Sequence, residues 1–119
     1  MTEDAVSEDA DLADVVGLLD DEHVRSILVA TSAEPLSAKE LGERCDVSVS
    51  SIYRRVDELR DIDLLEERTR PRSDGHHETV YVSALDRFEL TISDGDLDWT
   101  VDRAGDDVAD ELSRMWGNF

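Results

Sequence analysis

The chain is poor in the residues that build many specialised proteins. It has a single cysteine, Cys45, so no disulfide can close within it. One cysteine and three histidines, two of them adjacent, leave no complete zinc ligand set and no nucleophile–base triad. No glycine-rich phosphate loop is present, and neither an enzyme nor a bound cofactor is expected. There is no run of about 18 apolar residues, which excludes a transmembrane helix. The start, Met1-Thr2-Glu3-Asp4, is acidic where a secretion signal is basic. The expectation is a cytoplasmic protein with no membrane partner.

Lysine is the most telling scarcity. Against 31 acids stand 12 bases, of which only Lys39 is a lysine, and the formal net charge is −19. Heavy use of Asp with little Lys resembles proteins from organisms with molar internal salt. A dense carboxylate surface stays hydrated there, and at ~1 M salt the Debye length is about 3 Å, so self-repulsion is small. The competing reading is an acidic protein of an ordinary cell that binds basic partners.

What is present is unevenly placed. Residues 1–36 carry a net charge of −9 and residues 73–119 another −9, but residues 37–72 carry only −1. Eight of the bases fall in that middle stretch. A concentration of arginine points to a phosphate backbone.

Periodicity organises the chain further. Residues 1–10 have none and read as a disordered acidic arm. Leu12, Val15, Val16 and Leu19 follow helical spacing. Asp20-Asp21 interrupts it and caps a second helix bearing Val24, Ile27 and Leu28. Ser37-Ala38-Lys39-Glu40 has the spacing of a capping box and opens a third helix with Leu41 and Cys45 inward. Ser48 caps a fourth, whose projected inner face is Val49, Ile52, Val56 and Leu59. Beyond Asp61 the period becomes two. Leu64–Arg70 and Glu78–Val82 read as paired strands around the loop from Pro71 to His76. A second hairpin follows, with Phe88, Leu90 and Ile92 alternating, a turn at Ser93-Asp94-Gly95-Asp96, and Leu97, Trp99 and Val101 alternating. Ala104, Val108, Leu112, Met115 and Trp116 recur at helical spacing.

Two short helices joined by a tight turn, the second with arginine outside, form a DNA-reading unit, and a hairpin after it forms a wing. The fold class is therefore α+β, a winged helix-turn-helix with an extra β-hairpin and a C-terminal helix. Residues 11–83 form the DNA-binding domain. Residues 84–119 extend the core or serve dimerisation. At 100° per residue, Ser50, Ser51 and Arg54 project outward, with Tyr53 and Arg55 on the flanks. Ser50, Ser51, Tyr53 and Arg54 are the expected base readers. Arg55, Arg68, Arg70 and Arg72 are the expected phosphate holders, with His76 across the loop. A purely structural alternative pairs Arg54 with Glu58.

The run Leu36-Ser37-Ala38-Lys39-Glu40-Leu41-Gly42, Cys45-Asp46-Val47-Ser48, Ile52-Tyr53-Arg54-Arg55-Val56, Leu59 and Leu64-Leu65 resembles the winged helix-turn-helix of ArsR-type regulators. It is most similar to the small members from halophilic archaea. The resemblance covers about Leu12 to Val82. It implies DNA contacts at Val49, Ser50, Tyr53 and Arg54, and a dimer. Val49 conflicts with the inward projection. The family's metal-sensing Cys-x-Cys is replaced here by Ser37-Ala38-Lys39, which argues against metal sensing. The expected function is a homodimeric, sequence-specific regulator on double-stranded DNA, reading an inverted repeat in high salt. The alternative is a winged-helix protein-interaction module whose arginines pair internally.

Overall fold

The computed structural model describes residues 11–104. The predicted acidic arm and most of the C-terminal apolar stripe lie outside these residues. Four helices come first: α1 (Leu12–Leu19), α2 (Glu22–Ala33), α3 (Ala38–Cys45) and α4 (Val49–Asp61). Two hairpins follow: β1 (Leu65–Pro71) with β2 (His77–Ser83), and β3 (Leu85–Ser93) with β4 (Asp96–Arg103). This is an α+β winged helix-turn-helix.

Each helix begins where a short oxygen-bearing side chain can satisfy a free amide. Asp11 accepts from the Asp14 amide at 3.0 Å, and Asp21 from the His23 amide at 2.9 Å. Ser37 and Glu40 complete the capping box in both directions, at 3.2 and 2.8 Å. Ser48 accepts from Ser51 at 3.1 Å.

The α3–α4 turn depends on a glycine. A Cβ at Gly42 would lie 3.0 Å from the Val47 carbonyl oxygen, and the Val47 amide donates back to the Gly42 carbonyl at 3.1 Å. Asp46 completes the turn in the left-handed region at φ 59°.

One core lies between the helices and the base of the wing. Val15, Val24, Ile27, Leu41, Ile52, Val56, Leu59 and Leu64 are fully buried in it. Each such aliphatic side chain contributes about 1.5–3 kcal/mol by leaving water. The wing is tied on by more than sequence. Leu36, just before α3, exchanges backbone hydrogen bonds with Tyr81 of β2 at 3.2 and 2.8 Å. The wing therefore follows the helix-turn-helix as one body.

The second hairpin turns through Asp94 and Gly95, both at positive φ, 54° and 81°. That matches the two-residue turn expected from Ser93-Asp94-Gly95-Asp96. Only its base meets the core, through Leu85, Phe88, Trp99 and Val101.

Candidate nucleic-acid interface

α4 is amphipathic, and its outward side is what the fold offers to a partner. Ile52, Val56 and Leu59 are buried, whereas Val49, Ser50, Tyr53 and Arg54 are exposed. Ser50 and Arg54 stand one turn apart on this outer face. Arg54 has no carboxylate partner among the described residues, so the expected alternative pairing with Glu58 does not form. Arg54 and Lys39 are the two described Lys/Arg side chains with neither an ion pair nor a hydrogen bond. Every other described arginine is bound to a carboxylate or, as with Arg25 and Arg103, to backbone carbonyls.

Val49 corrects the helical projection. It is 40% exposed. The i, i+3, i+7 spacing with Ile52 and Val56 places it inward on an ideal wheel. The first turn of α4, however, passes Gly42 of α3, which has no side chain to cover it. The resemblance placed Val49 on the outside, and so does the structure.

Arg55 is the larger correction. It was placed on the flank as a phosphate holder, but it is buried. Its Nε donates to Asp21 Oδ2 at 2.8 Å, and its Nη1 donates to the Ser51 carbonyl at 3.3 Å and to the Ser51 hydroxyl. The N-terminus of α2 lies against this flank of α4 and supplies the acid. Ser51 is only half exposed, and its hydroxyl is occupied by this guanidinium. Partial burial pushes the Asp21 carboxyl up. The Arg55 hydrogen bond, the His23 amide and the guanidinium charge outweigh burial and hold it below its ordinary value. Cys45, half-buried nearby, has its thiol pKa raised by burial against the opposing pull of Arg55.

The wing divides its three arginines. Arg70 is clamped: Nη2 donates to Glu78 at 2.7 Å and to Glu40 at 3.1 Å, and Nη1 reaches the Pro35 carbonyl at 3.4 Å. It is thus a brace between wing and α3, its guanidinium already engaged by two carboxylates where the sequence suggested a phosphate holder. Bonds to Glu78 and then Glu40 raise its pKa further. Glu40 is held below its usual range, first by the Ser37 amide and then, against partial burial, by Arg70. Arg68 pairs with Glu66 at 3.0 Å on an open strand face. Arg72 has only long contacts, 3.8 Å to Asp74 and 4.0 Å to Glu78. His76 is 82% exposed and lies 3.4 Å from Asp74.

Asp57, one turn on from Arg54 on the same side of α4, lines an open acidic cleft of about 680 Å³ with Asp61, Glu66 and Glu67. Among the described residues no cluster of three His, Cys, Asp or Glu is placed to hold a metal. No helix among them is long and apolar enough to cross a membrane.

Two helices joined at a glycine turn, an exposed Ser–Tyr–Arg face and an attached hairpin define the geometry. Residues 19–68 match the family model of a helix-turn-helix domain. The matched stretch runs from the end of α1 to the middle of β1, and so contains the outer face of α4 and the Asp21–Arg55 brace, whereas Arg70 and Glu78 of the wing brace lie beyond it. The helix-turn-helix match supports a DNA-binding regulator, a class that is typically non-enzymatic. No curated protein matches the chain.

Proposed function

We propose that the protein is a sequence-specific transcription regulator that binds double-stranded DNA as a homodimer. The observation that carries this reading is the outer face of α4, where Arg54 stands exposed and unpaired beside Ser50, Tyr53 and Val49. In a chain of net charge −19, an arginine left without an acid is a group held ready for another molecule. Arg54 suits a guanine edge, Ser50 a base or phosphate oxygen, and Val49 a thymine methyl. Arg68, Arg72 and His76 lie along the wing where a backbone would pass. Arg55 and Arg70 hold the two elements in place and touch no DNA.

The dimer is built on α1, where Val16 is 45% exposed and Leu12 and Leu19 are partly exposed along the same stripe. A two-fold pair reads an inverted repeat with half-sites about one helical turn apart. The acidic surface suits a high-salt cytoplasm, where screening removes the repulsion between DNA and carboxylates.

The test is a mobility-shift assay with genomic fragments in molar potassium chloride. Selective retention of fragments sharing an inverted repeat is the expected result. Absence of any selective binding would replace this reading with the protein-interaction module, which the clamped Arg70 also fits.

A further inference from the structure

The wing carries an open strand edge. Leu36 exchanges backbone hydrogen bonds with Tyr81 of β2 in both directions, so the Tyr81 amide and carbonyl point away from β1. Glu67 stands opposite Tyr81 in the register. Residues opposed in an antiparallel pair turn their backbone groups either toward each other or both away. Glu67 therefore turns its N–H and C=O outward. The flanking rungs agree. Ala84 donates to the Leu64 carbonyl at 3.0 Å and Arg72 to the His76 carbonyl at 2.9 Å, so even-numbered positions face β2 and the odd-numbered Glu67 and Thr69 face out. The sheet has two strands, and no described residue takes up these outward groups.

The edge opens on the acidic cleft. Asp57, Asp61 and Asp63 line it from the end of α4, and Glu66 and Glu67 from β1. Successive strand residues point to opposite faces. A cleft lined by both Glu66 and Glu67 therefore runs along the edge of β1, not across one face. Tyr81 reaches it from the core. It shares a face with Glu67, which is bound to Arg60 of α4 at 2.9 Å. Tyr81 is only 4% exposed, yet its hydroxyl has no hydrogen-bond partner among the described residues. No described buried polar atom is left unpaired, so this hydroxyl opens to the solvent of the cleft. Burial, and then the Glu67 charge, raise its phenol pKa, with Tyr53 and Asp57 adding and Arg60 opposing.

These features select one occupant. Among the described residues no three carboxylates converge as a metal ion requires. A polyamine would meet the spread charges but has no carbonyl to accept from the Glu67 amide. An extended peptide supplies both, a backbone for the edge and cations for the acids.

We infer that the outer edge of β1 docks an extended peptide bearing arginine or lysine at alternate positions. Its backbone adds a strand beside Glu67 and Thr69. Its basic side chains meet Asp57, Asp61 and Glu66, and the Tyr81 hydroxyl accepts from one of them.

The test uses the full chain without DNA and a labelled synthetic peptide alternating arginine with valine. Fluorescence anisotropy measures binding, and amide exchange locates it. Exchange at Glu67 and Thr69 should slow. The same peptide with its backbone N-methylated keeps its charge but should bind on the order of tenfold more weakly. Asp61→Asn with Glu66→Gln should weaken the unmodified peptide by a similar factor. Asp94→Asn with Asp96→Asn, at the tip of the other hairpin, should leave its binding unchanged. Failure of the peptide to bind, equal binding of the two peptides, equal effects of the two double variants, or equal protection of these amides by spermidine would overturn the inference. Slow exchange at Glu67 and Thr69 before any peptide is added would overturn it as well, because a second copy of the chain would then hold the edge.

Discussion

The Asp21 carboxylate joins two helices: Oδ1 accepts from the His23 amide at 2.9 Å, and Oδ2 accepts from Arg55 Nε at 2.8 Å. The same group that starts α2 thereby fixes the rotation of α4, and with it the direction in which Arg54 points. Arg55→Ala leaves Asp21 without its partner in a half-buried site. The expected loss is about 1–3 kcal/mol of stability. Thermal unfolding in molar potassium chloride measures it, and the preferred DNA sequence should stay the same. A changed preference with unchanged stability would mean that Arg55 contacts DNA.

Arg54→Ala should do the reverse. Its exposed side chain has no ion pair or hydrogen bond among the described residues, so the melting temperature should change little. Sequence preference should relax at one position by about 1–3 kcal/mol. Competition binding against a randomised operator library reports both the position and its size.

Arg68→Ala and Arg72→Ala should weaken all sequences alike and reduce the slope of log affinity against log salt by about 1 each. Arg70→Ala should behave differently. It frees the wing from Glu40 and Glu78, so its effect should appear as faster amide exchange across β1 and β2. Titrations at several salt concentrations and hydrogen exchange on the free protein separate the two roles.

Gly42→Ala places a methyl group 3.0 Å from the Val47 carbonyl oxygen. Backbone must then move, because no flexible side chain is available to yield. Overpacking of this kind costs about 1–3 kcal/mol, more than the better helix propensity of alanine returns. A rise in unfolding temperature for this variant would refute the tight-turn account.

Acid should loosen both braces. Asp21 and Glu40 are held below their ordinary values of 3.8 and 4.5. A carboxylate with a depressed folded-state pKa contributes stability that is complete above its unfolded value. The contribution is lost as pH falls through the folded value. Stability should therefore be flat near neutrality and fall below about pH 4.5. Asp21→Asn should flatten that fall in denaturant titrations, and an unchanged acid limb would assign the loss to other carboxylates.

Local signals were readable without the fold. The capping box at Ser37–Glu40, the Ser48 cap, the Asp94–Gly95 turn and the change of period after Asp61 depend on neighbours in sequence, and each lies where it was expected. The Arg70 clamp was partly readable. Glu78 stands directly opposite Arg70 in the hairpin register, so closing the loop symmetrically around Asp74 would have revealed that half. The Glu40 half joins residues thirty positions apart, and no local pattern carries it.

The sequence by itself determined the order of the four helices and two hairpins, the α+β winged class and the outward direction of Ser50 and Arg54, because helical and strand periods are properties of the local chain. Only the tertiary structure decided which arginines are free. Arg54 and Arg55 are neighbours with the same chemistry, one projecting outward and the other to the flank. One meets solvent. The other meets the N-terminus of α2, thirty-four residues away in sequence. A carboxylate brought in by packing turns a cation from a ligand-binding group into a brace, and a helical wheel carries no record of it.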